Sequence, residues 1–452
     1  MSDRPLLTDD TRELPRLCLV TVGVHAQVRV VGIWFNRRAG DSRVTRRDGV
    51  VVSALQAVRQ LIRQGYRARP EDLADMAMQA AALLGAAALI IYVVDHQQRA
   101  LAPLPDDRSP AAPPLPIDGS LAGRAFSTLS PVRGQQDGQH VLWVPLLDGS
   151  ERMGVVQVIA DQPLSEQVVA DCATVAALIG ELVVTGDLYS DTIERLRRRE
   201  PMRLAAEMLR AQLPPLTFAT SRTVIAGILE PCYDVGGDAF DYAVNGDTAH
   251  FALFDAVGHG SAGGMRAVVL ASIAIAAYRN ARRAGMDLTA TYHYLDDAVR
   301  THDRTGMITA VLAELDQNTG ILQVISAGHP SGIVLRRGRV VTVLPTPTAL
   351  PVTLGDRRPP VIIQEALEPG DHVLLYTDGI TEARDRDGHT FGLNRLTHFT
   401  QRALADHLPA AETVRRLVHA ILDHQDDRLQ DDATVLLLHW LGSPAASTLP
   451  HP

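Results

Sequence analysis

Apolar and polar positions fall into two rhythms along this chain. In Ala54–Gln64, and again in Pro70–Leu84, apolar side chains recur every three to four residues, the period of a helix with one buried face. Gly85 then supplies a helix stop. Ala87–Val94 is a continuous apolar run of strand length, and His140–Leu146 and Gly154–Ala160 predict two more strands across the turn Asp148-Gly149-Ser150. Asp106–Pro116, rich in Pro, Ala and Asp, reads as a loop, and Ser165–Leu188 returns to helical spacing. Residues 51–188 therefore predict a small α/β domain. Leu17–Val24 and Gln27–Phe35 have strand character, but residues 1–50 join no recognisable domain.

Residues 189–215 predict a charged helical linker. Glu194–Glu200 is a charge run, Pro201 interrupts it, and Leu204, Met208 and Gln212 restart an i, i+4 face until Pro214-Pro215 ends it. The arginines of that run read as a solvated helix face. From 216 to 441 strands and helices mix without a βαβ rhythm. Strands are expected at Val224–Leu229, Ala249–Phe254, Ala310–Leu315, Ile321–Ser326, Gly332–Arg336, Val340–Leu344, Val361–Ala366, His372–Tyr376 and Ala433–His439. Short turns such as Asp316–Gly320 and Arg337-Gly338 imply antiparallel neighbours. Helices are expected at Met265–Ala284, Leu288–His302, Leu393–Leu408 and Ala411–Asp423. Strand pairs with helices grouped between them predict an α+β sandwich. Residues 442–452, rich in Ser, Pro and Ala, read as a disordered tail.

Composition removes several chemistries. All 43 basic residues are arginine, so no P-loop lysine, kinase lysine or Schiff-base lysine exists in these 452 residues. The formal net charge of −9 argues against a dedicated nucleic-acid binder. Cys18, Cys172 and Cys232 are odd in number and far apart, which fits neither a disulfide framework nor a CxxC metal site. The longest apolar run, Ala80–Val94, contains Gly85 and is shorter than the roughly 20 residues of a membrane span. A cytosolic chain with no membrane partner is the expectation.

Four aspartate sites carry the candidate chemistry: Gly236-Gly237-Asp238, Asp255-Ala256-Val257-Gly258-His259-Gly260, Thr377-Asp378-Gly379, and Asp431-Asp432-Ala433-Thr434. Any one aspartate alone is an ordinary turn or cap residue. Each of these sits at the end of an apolar strand or beside glycine, where backbone can approach an ion closely. Converging carboxylates without a basic partner repel one another, and divalent cations with hard oxygen preference, magnesium or manganese, relieve that repulsion.

The ordered set, with Ala327-Gly328-His329 and a Thr-Asp-Gly element running to Glu382, resembles the metal-dependent Ser/Thr phosphatases of the protein phosphatase 2C-like (PPM) family. The likeness is closest to the bacterial branch of stage II sporulation and stress-response phosphatases. It spans about 220 residues. It implies a PPM-type α-β-β-α sandwich holding two divalent cations, Mn2+ or Mg2+. Asp255 would bridge both ions, the Ala256 carbonyl would complete one site, and Asp378 and Asp431 would bind the second. Asp238 would be an additional or water-mediated ligand, and Asp432 would orient its neighbour. A hydroxide between the ions would attack phosphorus in line, with no covalent phosphoenzyme. His259 is a candidate general acid, a loop-stabilising hydrogen bond being its other reading, and His329 reads as structural. The implied substrate is a phosphoserine or phosphothreonine protein, by family likeness an anti-sigma-factor antagonist.

Gly119-Ser120-Leu121-Ala122-Gly123-Arg124-Ala125-Phe126, Val144-Pro145-Leu146 and Gly154-Val155-Val156 make residues 51–188 resemble a GAF sensory domain. No residue marks a particular ligand, so packing and homodimer formation are the expected roles, with the linker relaying any change. Two rivals are weaker. Gly236-Gly237-Asp238-Ala239-Phe240 is similar to the diguanylate cyclase signature, yet alanine replaces the glutamate that such cyclases use. A catalytically silent pseudo-phosphatase would not need intact aspartates at all four sites.

Overall fold

The computed structural model describes residues 21–22, 29–30, 48–105 and 113–442, apart from 232, 235, 259, 331, 346–347, 355–357 and 428. The chain divides into two units, Met1–Asp48 and Gly49–Pro452. In the first, Thr21–Val22 (β1) pairs antiparallel with Arg29–Val30 (β2). The remainder of the two strands expected there, and the tail beyond Gly442, lie outside the described residues.

The second unit starts with α1 (Asp48–Gly65), a 3-10 turn at Pro70–Asp72 and α2 (Leu73–Leu83). Strands β3 (Ala88–Val94), β4 (Ala100–Pro103) and β5 (Leu115–Pro116) follow, then α3 (Leu121–Thr128), β6 (Val132–Gln136), β7 (Gln139–Asp148), β8 (Glu151–Ala160) and α4 (Glu166–Asp187). The strands form one antiparallel sheet in the order β5-β4-β3-β8-β7-β6. Ala57 and Leu61 of α1, Met76 and Ala77 of α2, and Cys172, Val175, Ile179 and Val183 of α4 cover one face. Phe126 of α3 packs with Tyr92 and Trp143 on the other. The Ser120 hydroxyl caps α3 by accepting from the Gly123 N–H. Gly123 is required there, since a Cβ would meet the Ile117 carbonyl oxygen at 1.6 Å. Three elements escaped the sequence pattern, β4, β6 and α3, because each is too short to display a period. Of the loop expected at Asp106–Pro116, residues 106–112 lie outside the described residues, and its end forms β5. By length and composition α4 alone among the described helices is apolar enough to cross a membrane, and it buries its apolar face on the sheet.

The linker contains α5 (Thr192–Arg197) and α6 (Leu204–Arg210), separated at Pro201. Of the expected Leu204–Met208–Gln212 face, Met208 packs against the following domain's core and Gln212 donates to the Ser272 hydroxyl of that domain, but Leu204 is exposed, and Ala205, Ala206 and Leu209 are the buried side chains. They join the core of the following domain, whereas Ile193 of α5 joins the core of the preceding one.

That following domain comprises β9 (Thr217–Ala219), β10 (Thr223–Glu230), β11 (Asp238–Asn245), β12 (Thr248–Ala256), α7 (Gly260–Arg283), α8 (Leu288–His302), β13 (Ile308–Asp316) and β14 (Ile321–Ala327). It continues with β15 (Ile333–Arg336), β16 (Arg339–Val343), β17 (Ile363–Ala366), β18 (His372–Tyr376), α9 (Asp378–Thr381), α10 (Gly392–Ala405), α11 (Ala410–His424) and β19 (Ala433–Trp440). Two antiparallel sheets result, β16-β15-β18-β19-β10-β9 and β11-β12-β13-β14-β17. Phe240, Leu253, Val311, Val373, Leu436 and Leu438 fill the layer between them, whereas Phe254 faces the other way and packs on Tyr278 of α7. Helices α7 and α8 pack on the five-stranded sheet, and α10 and α11 pack on the six-stranded one through Leu396, Val414, Leu417 and Ile421. The order of layers is helix, sheet, sheet, helix.

β11 was not anticipated, because Asp238 and Asp241 break its apolar pattern. Asp241 is tolerated at 1% exposure because Arg279 and Arg282 from α7 pair with it at 2.6 and 2.9 Å. Helix α7 also begins earlier than Met265, running through a glycine-rich first turn of low helix propensity.

Candidate metal centre

The site forms where the ends of the two sheets meet. β11 and β12 run antiparallel with Asp238 opposite Asp255, and Asp255 in turn lies opposite Thr309 of β13. On the other sheet, β18 and β19 pair Tyr376 with Val435, which brings Thr377-Asp378 beside Asp431-Asp432. Two polar ties join the sheets. The Thr377 hydroxyl donates to Asp238 Oδ2 at 2.7 Å, and Thr377 Oγ1 itself accepts from the Thr434 N–H at 3.0 Å. The Asp432 carboxylate accepts from the backbone N–H groups of Gly236, Gly237 and Asp238 at 2.7 to 3.2 Å. Asp432 thus knots the Gly-Gly-Asp loop to the C-terminal strand.

Glycine is required at two points of this knot. A Cβ on Gly237 would meet the Ala256 carbonyl oxygen at 2.2 Å, and one on Gly379 would meet the Asp432 carbonyl oxygen at 1.8 Å. The Ala256 carbonyl is therefore approached closely by a residue with no side chain.

Electrostatics give the cluster its character. Burial, then the charges of Asp432 and Asp255, hold the Asp238 carboxyl well above the usual range. Burial and the neighbouring Asp378, Asp431 and Asp432 push Asp255 up to about 7. Burial, with Asp431 and Glu382, raises Asp378. Burial lifts Asp432 to about 6 although three backbone donors act against it. Among the described residues, no arginine forms an ion pair with any of these carboxylates. A partly buried, oxygen-only donor set whose members repel one another fits hard divalent cations. Asp431 is exposed and Asp255 and Asp378 are half-buried, whereas Asp238 and Asp432 are buried.

His329 is enclosed, and burial pushes its imidazole down to about 4, so it is neutral. Its Nε2–H donates to the Tyr376 carbonyl at 3.2 Å, and Nδ1 accepts from the Thr309 hydroxyl at 2.7 Å. Thr309 Oγ1 also lies 3.4 Å from Asp255 Oδ2. His329 consequently braces the strand ends. His259 and Cys232 lie outside the described residues. Sequence reasoning passed over Thr309 and Thr377. Thr377 stands inside the Thr-Asp-Gly element, whereas Thr309 has no local signal and is found only through strand register.

Fold and site together define a helix-sheet-sheet-helix sandwich with a cluster of carboxylates where its two sheets meet. Residues 245–441 match the model of the family described as stage II sporulation protein E (SpoIIE). The matched residues are less than half of the chain. Among curated proteins, the phosphoserine phosphatase RsbU of Bacillus subtilis (strain 168) is 24% identical over 217 residues, which are 47% of this chain and 62% of the relative. The chain thus spans less than two thirds of that relative's length. Among solved structures, the SiaA-PP2C domain of Pseudomonas aeruginosa is 24% identical with a TM-score of 0.43, covering 52% of this chain and 94% of the other. The phosphatase domain of SpoIIE from Bacillus subtilis, solved with a fragment of its regulatory domain, is 17% identical with a TM-score of 0.39, covering 49% and 65%.

Proposed function

We propose that this chain is a metal-dependent protein serine/threonine phosphatase, acting on phosphoserine or phosphothreonine of a regulatory partner. The observation that carries the reading is the gathering of buried Asp238 and Asp432, half-buried Asp255 and Asp378, and exposed Asp431 at the junction of two sheets, without a basic partner among the described residues. Asp255, Asp378, Asp431 and the Ala256 carbonyl would hold two divalent cations, Mn2+ or Mg2+. Such cations supply Lewis-acid charge neutralisation at phosphoryl oxygens and a nucleophile from water near neutral pH. The protein's own part is positional. Thr377 fixes Asp238, Asp432 fixes the Gly-Gly-Asp loop, and His329 with Thr309 fixes the strand end that carries Asp255. His259 is the proposed donor of a proton to the leaving oxygen.

The substrate class follows the name of the relative, a phosphoserine phosphatase. An anti-sigma-factor antagonist is the partner that the family resemblance suggests. Residues 51–188 act in this reading as a GAF-like sensory and dimerising module in a cytosolic homodimer. Phosphate release from a phosphoserine peptide tests the proposal. Activity should appear with Mn2+, vanish in excess chelator, and be lost in Asp255→Ala or Asp378→Ala. Equal turnover in excess chelator would contradict it.

A further inference from the structure

The turn between β3 and β4, Asp95–Arg99, belongs to the N-terminal α/β domain, yet its residues reach the linker and the C-terminal domain. Asp95 Oδ2 accepts from Arg199 Nε at 3.0 Å. His96 bonds Glu194 of α5 and Arg210 of α6. The Gln97 carbonyl accepts from His419 Nε2 at 2.8 Å. The Gln98 amide oxygen accepts from Arg152, and its carbonyl accepts from Arg415. Arg99 Nη2 donates to Asp427 Oδ1 at 2.5 Å.

A buried ion network anchors this contact. Arg152 of β8 donates to Glu412 Oε2 and to the Ala411 carbonyl, both at 3.0 Å. Arg415 pairs with Glu412 at 2.8 Å and with Asp118 of the α/β domain at 2.7 Å. The side chains of Arg152, Glu412 and Arg415 are at most 3% exposed. Buried, complementary charges of this kind fix one docking geometry, because any other leaves a charge unpaired.

Both loops of the metal centre are held from this side. Arg99 grips Asp427, four residues before Asp431. Asp426 and Asp427 both have positive φ, 53° and 59°, the left-handed region that aspartate enters more readily than most side-chain-bearing residues. Across the cluster, the Arg199 N–H donates to the Tyr233 hydroxyl, and the Arg203 N–H to the Tyr233 carbonyl. Arg203 also pairs with Asp234, just ahead of Gly236-Gly237-Asp238. Asp432 then ties the two loops to each other.

We propose that the Asp95–Arg99 turn is a positioning element for the metal centre: docked, it holds Asp426-Asp427 ahead of Asp431-Asp432, and Tyr233-Asp234 ahead of Gly236-Gly237-Asp238, in their ion-binding arrangement, and displaced, it lowers divalent-cation affinity. This rests on the phosphatase reading above, in that it assigns the cluster to cations. A signal received by the α/β domain thereby acts on ion binding, through a docking equilibrium that both sites bias.

The test uses the full chain with Mn2+ as the probe, and reads calorimetric affinity alongside hydrogen exchange of 425–432. Arg99→Ala removes a half-exposed partner. Arg152→Met removes the anchor while Glu412 keeps Arg415 and Arg416. Arg133→Ala, whose partner Glu166 is exposed, serves as the control. Both test variants should bind Mn2+ roughly threefold or more weakly and exchange faster across 425–432, while the control matches the wild type. Wild-type affinity and exchange in Arg99→Ala and Arg152→Met would overturn the inference while leaving the phosphatase reading intact. Absence of Mn2+ binding by the wild type would instead overturn that reading, and the inference with it.

Discussion

At the scale of single residues, the cluster sets like charges against one another. Asp255 and Asp432 sit near 7 and 6 because burial and like charges disfavour their ionised forms. A carboxyl with a raised folded-state pKa keeps its proton where the unfolded chain, ionising near 4, has already lost it. Metal-free stability therefore falls as pH rises from about 4 to about 7. Bound cations take the place of those protons, so the gain in Tm on adding Mn2+ should be larger near pH 7.5 than near pH 5. An equal gain at both would show that these carboxylates do not hold the ion. Thr377→Val is the second residue-level prediction. It strips Asp238 of a hydroxyl donor and the Thr434 N–H of an acceptor. Loss of about 1–3 kcal/mol is expected in denaturant unfolding, together with weaker Mn2+ binding. The aspartates themselves were legible in the sequence because strand ends and glycines flank them. Thr309 was not, since its role arises only when β12 and β13 come into register.

Elements explain why the glycines are indispensable. Gly379 opens α9 against the Asp432 carbonyl, and any larger residue must push the C-terminal loop off the Thr-Asp-Gly turn. Gly379→Ala should cost about 1–3 kcal/mol by overpacking and reduce Mn2+ affinity, both measurable in one thermal titration. Helices and central strands of the sandwich were readable from periodicity, and β10, β18 and α8 lie close to where their patterns place them. β11 was hidden because its buried Asp241 makes sense only beside Arg279 and Arg282, which are contributed by a helix far along the chain. Likewise α6 presents Ala205, Ala206 and Leu209 to the core, where small residues carry little periodic signal. Leu209 belongs to the cluster of Phe240 and Phe254, so Leu209→Ala should destabilise the C-terminal domain by about 2–5 kcal/mol.

For the whole molecule, the linker is split between two cores. Ile193 is buried with the α/β domain, and Ala206 and Leu209 are buried with the sandwich. A fragment starting at 201 should accordingly melt higher than one starting at 216, and equal Tm values would refute this division. The central claim is that the carboxylate cluster holds divalent cations that make the domain a phosphatase. Calorimetric titration of Mn2+ into the full chain at neutral pH tests it most directly. Two ions per chain are expected for the wild type, with binding lost in Asp255→Asn; a wild type that takes up no Mn2+, or a variant that binds it equally, would contradict the account.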